Sequence, residues 1–177
     1  TGQQNATLNA ANSAATLIKG ADDYESNYSA GIANVGDYVA RYAGALGNSL
    51  KASVCASAAA YQSTLSGTYS VTSNTTTITF SANQASTLVA GDLLEIGLTA
   101  GSKQTVKVAS VAANGTTATL ETTYTGDTAA ANTSLVRKWE YATVTDRAPG
   151  TSNYATQRGG SADEMHIVVA DEDGLWT

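Results

Sequence analysis

A mainly β fold of the α+β class, with a small antiparallel barrel or sandwich in its middle, is predicted by three features of the sequence. Between about Tyr61 and Asp146, short runs of alternating apolar and polar residues are separated by turn residues. Thr, Ser, Asn and Gly replace the usual surface charges: only 14% of the 177 residues are charged while 42% are hydrophobic, and abundant Thr suits half-buried strands. Asn114-Gly115 is a strong hairpin signal, because both residue types tolerate positive φ.

Taken in order, residues 1–13 are small and polar and read as a lead-in loop, and Leu17-Ile18 before Lys19-Gly20 reads as the end of a short apolar element. Asp22-Asp23-Tyr24-Glu25 opens a helical turn, since carboxylates there complement the helix dipole. Val35, Tyr38, Val39, Tyr42 and Leu46 have the spacing of a short amphipathic helix, which Gly44 and Gly47 would end. Ser49–Ala56 reads as a strand with Leu50, Ala52, Val54 and Ala56 on one face.

The middle then supplies strands at Thr77–Phe80, Leu93–Ile96, Thr105–Val111 with Val106 and Val108 together, and Thr117–Tyr124 with Leu120 inward. Leu88–Asp92 is expected as a turn. Leu135–Thr145 is expected as the longest strand, with Trp139 and Tyr141 on one face and Lys138 and Glu140 on the other. Pro149-Gly150 has the signature of a type II turn. Met165–Ala170, apolar apart from His166, is expected as a strand covered on both faces, closed by the acidic turn Asp171-Glu172-Asp173-Gly174. Gly47, Asn48, Asn114, Gly115, Pro149 and Gly150 are thus the expected structural turns.

Nine basic against fifteen acidic residues give a net charge of −6, which argues against phosphate-backbone binding and against anionic membranes. No apolar run reaches the roughly 20 residues of a membrane span. Cys55 is the single cysteine, so no disulfide forms within the chain. The start at Thr1 and the stop after Asp-Gly-Leu-Trp are read as the cut ends of a segment.

No catalytic constellation stands out. His166, the single histidine, has no local nucleophile or orienting partner. One His and one Cys leave only carboxylates to complete a zinc set; the acidic turn superficially resembles the start of a calcium loop, but the chain stops before the about 12 residues such a loop needs, and it is read as a surface turn. Asp163 and Glu164, adjacent on an expected strand, would point to opposite faces and not flank one bond. Gly159-Gly160 lacks the Lys and the strand–helix context of a phosphate loop and reads as a turn. Trp139 and Tyr141 form either barrel core or, if exposed, a sugar-stacking platform, the core being favoured. Cys55 reads as a buried, inert thiol.

Two segments carry more specific information. Val35-Gly36-Asp37-Tyr38-Val39-Ala40-Arg41-Tyr42-Ala43-Gly44-Ala45-Leu46-Gly47-Asn48-Ser49-Leu50-Lys51 resembles a stretch of contractile tail sheath proteins that leads into a strand, although Ala43 stands where Pro is common. Asp163-Glu164-Met165-His166-Ile167-Val168-Val169-Ala170-Asp171-Glu172-Asp173-Gly174, preceded by Gly150–Tyr154 and Arg158-Gly159-Gly160, resembles a second such stretch. Its likeness is to the sheaths of T4-like, including cyanophage-like, myoviruses. Ala170 stands where a larger apolar residue is common.

The resemblance implies a nested layout. Residues 1–60 and 147–177 would belong to a partial α+β sheath core, a β-sandwich with short helices, and residues 61–146 to an inserted, outward-facing antiparallel β-barrel. It further implies a structural, non-enzymatic protein of the virion, assembled in the host cytoplasm, without cofactor or metal. Its partners would be further copies of itself in a helical array, the tail tube protein, and the baseplate and tail terminator proteins. Contraction of that array would drive the tube into the host for genome ejection. Contacts between copies are expected at Arg41 and Arg158 and at the carboxylates Asp171, Glu172 and Asp173. Two other readings are a binding module of an adhesin or virion decoration protein and a tail hydrolase. The first leaves both segments unexplained, and the second needs an acid–base pair that the sequence does not offer.

Overall fold

A computed structural model describes residues 20–30, 38, 40–42, 44–97, 103–130 and 135–176. In chain order the elements are α1 (Ala21–Asn27), α2 (Ala45–Asn48), β1 (Leu50–Cys55), α3 (Ala58–Tyr61), β2 (Gln62–Thr64), β3 (Tyr69–Val71) and β4 (Thr75–Phe80). They continue with β5 (Leu93–Gly97), β6 (Lys103–Val111), β7 (Thr117–Tyr124), β8 (Ala129–Ala130), β9 (Val136–Lys138), α4 (Asn153–Thr156) and β10 (His166–Asp171). Among the described residues strand at 36% outweighs helix at 14%, so the protein is mainly β with a few short helices. Two compact units are present, one within Cys55–Met165 and one drawn from Gln3–Val54 and His166–Thr177.

The first unit is built on one antiparallel sheet in the order β2-β9-β5-β6-β7-β4-β3-β8, curled into a half-barrel. Alternation dictates its inner face. Ile78 and Phe80 on β4, Leu94 and Ile96 on β5, Val106 and Val108 on β6, and Leu120 and Tyr124 on β7 are all buried in one cluster. Cross-strand pairs such as Leu94–Val106, Val108–Leu120 and Ile78–Ala118 join these faces. Burying each Val, Leu, Ile or Phe contributes about 1.5–3 kcal/mol relative to exposure. The register shifts between Val108 and Ser110 and between Thr75 and Thr77 supply local bends of the kind that curl a sheet.

The β6–β7 hairpin turns through Asn114-Gly115 as expected, but the two residues act differently. Gly115 alone takes positive φ, at 67°. A Cβ there would lie 2.0 Å from Asn83 Oδ1 and 2.5 Å from the Ala85 nitrogen, so glycine is required by both conformation and space. Asn114 keeps a negative φ and contributes its side chain, whose Oδ1 accepts the Thr116 amide at 3.1 Å.

Several expectations need correction. The strand expected over Leu135–Thr145 is only β9. After Trp139 the chain closes successive turns, Ala142 N to Trp139 O and Val144 N to Tyr141 O at 3.0 Å each, and the Tyr61 hydroxyl pins them by donating to Ala142 O at 2.7 Å. Local alternation persists there, but the backbone partners come from turns. Pro149-Gly150 is not a type II turn, because Gly150 lacks the positive φ that its second central position requires. Gly150 is instead held in an open segment, its amide donating to Glu164 Oε2 at 2.9 Å.

In the second unit, Asp22 and Asp23 sit in the first turn of α1, as their charge predicts. The helix expected over Val35–Leu46 is not found. Tyr38 and residues 40–42 are not helical, α2 begins only at Ala45, and the remaining positions 35–37, 39 and 43 fall outside the described residues, as do 1–19. Gly44, at φ 81°, precedes α2 rather than ending a helix; Gly47 and Asn48 lie inside it. Gly47 is demanded by a close approach, since a Cβ would lie 1.9 Å from the Tyr42 carbonyl oxygen.

β1 pairs with β10 in a two-stranded sheet. It has no single inward face: Lys51, Ala52 and Ser53 are all buried, whereas Leu50 and Val54 are half-buried and Ala56 is exposed beyond the strand. β10 is not covered on both faces. Ile167 and Val169, with Met165 before them, are 51%, 62% and 58% exposed. A continuous apolar run marks a strand but not what covers it, and a two-stranded sheet has only one strand neighbour to offer.

Candidate interaction surface

Residues 150–164 form a compact surface loop whose ends are tied by two adjacent carboxylates. Arg147 donates to Glu164 in a bidentate pair, Nη1 to Oε2 at 2.7 Å and Nη2 to Oε1 at 2.6 Å. The Gly150 amide and Glu164 amide add reciprocal contacts at 2.9 and 3.3 Å. One residue away, Asp163 accepts the Ser152 amide at 2.8 Å and the Ser152 hydroxyl at 2.6 Å. Ser152 also caps α4, its Oγ accepting the Ala155 amide at 3.1 Å. Gly159, at φ 71°, ends the turn, with the Gly160 amide donating to Ala155 O at 2.9 Å.

The Arg147 guanidinium and then the Gly150 amide hold the Glu164 carboxyl below its ordinary range, and the Ser152 hydroxyl and amide do the same for Asp163. A glycosidic general acid needs the opposite shift. Both residues precede β10 in irregular backbone, so the expected strand placement was wrong, and both carboxylates are engaged in closing the loop.

At the outer part of this loop, Arg158 lies over the Tyr154 ring, its guanidinium carbon 3.7 Å from the centroid, with Nη1 donating to Tyr154 O at 3.3 Å. Tyr154 is 67% exposed. Lys51, Lys103, Lys107, Lys138, Arg137 and Arg147 each hold a carboxylate. Among the described residues, Arg41 and Arg158 hold none.

In the other unit, the acidic turn is internally organised. Asp171 Oδ2 accepts the Trp176 amide at 2.8 Å, and this bond leads in lowering its carboxyl pKa. Glu172 pairs with Lys51 at 3.4 Å. Asp173 is exposed and makes no such contact among the described residues. Trp176 donates from Nε1 to Leu46 O at 2.8 Å and packs edge-on to Tyr42 at 5.1 Å, beside the exposed Arg41. Of the expected contact residues, therefore, Arg41, Arg158 and Asp173 present uncommitted charge, while Asp171 and Glu172 are used within the unit.

Trp139 is fully buried, 5.4 Å edge-on to Tyr141, so it belongs to the interior and offers no face to a sugar. Cys55 is likewise fully buried, and that burial pushes its thiol pKa up, away from reactivity. His166 is half-buried at the start of β10. Among the described residues no three His, Cys, Asp or Glu side chains converge as metal ligands would.

The sequence reading missed the buried pair of Asp92 and Arg137. Nε donates to Oδ2 at 2.8 Å and Nη2 to Oδ1 at 2.7 Å, with Arg137 Nη1 also reaching Ala60 O. Its signal was present: Leu135, Arg137 and Trp139 alternate onto one face, which placed a charge among core residues. Compared with family models, curated proteins and solved structures, the chain finds no match.

Proposed function

We propose that this protein is a structural subunit of a contractile tail sheath, which polymerises helically around a tail tube and contracts to drive it into the host. The two sheath-like segments, Val35–Lys51 and the motifs between Gly150 and Gly174, are the source of the reading. The observation that carries it further is β10, the strand of the second segment. It lies in a sheet of two strands while Met165, Ile167 and Val169 stay exposed on one side. Two strands alone are marginal in water, and aligned exposed apolar residues mark association surfaces. A building block completed by its neighbours accounts for both. The curled, low-charge sheet of Cys55–Met165, with its own core, suits a module that stays folded while contacts elsewhere rearrange as near-rigid bodies.

Electron microscopy of the protein expressed from its natural gene, alone and with tail tubes, tests this. Hollow tubes or stacked rings of uniform diameter, or coated tail tubes, are expected. Dispersed particles that also fail to coat tubes would overturn the reading and restore the binding-module alternative.

A further inference from the structure

We infer that the Tyr154–Arg158 face of the clasped loop is a docking point for a carboxylate on a second copy of this chain, with Asp173 as its counter-charge. The inference rests on the self-assembly reading and names one contact within it.

Arg158 is unusual among the described basic residues in being immobilised without a carboxylate. Its ring contact at 3.7 Å and its bond to Tyr154 O fix the guanidinium plane. Its guanidinium carries further N–H groups beyond the one given to Tyr154 O, and a planar fork of this kind matches a carboxylate in bidentate fashion. The platform beneath is rigid for reasons already given: a bidentate Arg147–Glu164 pair, a doubly bonded Asp163, and a capped α4. Ordering costs that usually weaken a surface ion pair are thus largely met before binding. An exposed Tyr stacked with Arg also unites the residue types that most often anchor protein interfaces.

The chemistry favours a carboxylate on a protein over a polyanion. Arg158 is a single cation on a loop that also carries Asp163 and Glu164, in a chain of net charge −6, so a phosphate backbone or an anionic bilayer would be repelled. A second copy supplies the complement: in the acidic turn Glu172 is held by Lys51 and Asp171 by the Trp176 amide, leaving Asp173 exposed and without an ion pair among the described residues. Two different patches meeting head to tail make a heterologous contact, the type that propagates into an open helical array.

The test uses charge reversal and cross-linking in the full chain. R158E and D173R are each expected to weaken self-association on the order of tenfold or more, read by sedimentation velocity, because each opposes like charges. The double variant R158E/D173R is expected to recover it. Mixing R158C chains with D173C chains and adding a short bismaleimide, which spans the Cα separation of an arginine–carboxylate pair as a disulfide cannot, is expected to give more linked dimer than either variant alone; Cys55 is buried and stays out of the reaction. R158K, which keeps the charge but loses the planar fork, should fall between wild type and R158E. Assembly of R158E equal to wild type, with circular dichroism unchanged, would overturn the inference and leave the sheath reading standing. The same cross-link formed within monomeric R158C/D173C would overturn it too, by making the contact internal. A wild-type chain that neither associates nor coats tubes would remove both.

Discussion

Asp92 and Arg137 show what a single residue pair costs inside this fold. Both are almost wholly buried, 0% and 4% exposed, at the joint between the Val89–Asp92 turn and β9. Asp92 Oδ2 also accepts the Val89 amide at 3.0 Å, so one carboxylate sets both the turn and the guanidinium. Asp92→Ala would strand a buried cation, and a loss of about 3–5 kcal/mol is expected in urea unfolding. Replacing both partners by apolar residues of similar volume should cost much less, because neither charge is then left unpaired. Trp139 teaches the same lesson in apolar form: its indole fills the interior, and its position says nothing about sugar recognition.

Among the elements, the loop of residues 150–164 depends on ionised carboxylates for its closure. Glu164 and Asp163 both have lowered folded-state pKa values, caused first by Arg147 and by the Ser152 hydroxyl. A lowered carboxyl pKa means that the contribution is present above the unfolded-state value and is lost as pH falls through the folded one. The clasp should therefore hold throughout neutral and mildly acid conditions and open only below the usual carboxylate range. Carboxyl NMR titration checks this: both midpoints should lie below those of ordinary Asp and Glu, and R147A should move Glu164 back toward its normal value while leaving Asp163 nearly unchanged. Equal titration of Glu164 in the two proteins would show that Arg147 does not hold it. The β6–β7 hairpin makes a related point without charge, since Gly115 serves a positive φ and a close backbone approach at once.

At the scale of the whole molecule, the described residues of the unit within Cys55–Met165 form one stretch of sequence that contains every residue of the buried cluster. Expressed alone, residues 55–165 are expected to fold, giving a β-type far-ultraviolet dichroism spectrum and a single cooperative urea transition. A fragment without a cooperative transition would show that this core needs the rest of the chain. The other unit, drawn from two separated stretches of sequence, has a two-stranded sheet whose exposed apolar side chains lie on β10. Its stability is expected to come from association, as in the assembly proposed above.

Short-range patterns by themselves determined the mainly β character, the shared face of Val106 and Val108, the inward Leu120, the hairpin at Gly115, and the acidic opening of α1. Each follows from periodicity, turn chemistry or a local dipole, which neighbouring residues decide among themselves. The tertiary structure decided how β9 ends, because the Tyr61 hydroxyl comes from more than 80 residues away. It decided that Arg137 faces Asp92, 45 residues apart, and that Glu164 rather than a tight turn holds Gly150. It also decided that β10 shows one apolar face to solvent, where the continuous run of its sequence predicted cover on both. Those outcomes depend on which distant groups meet, and alternation along one strand carries no record of its partner.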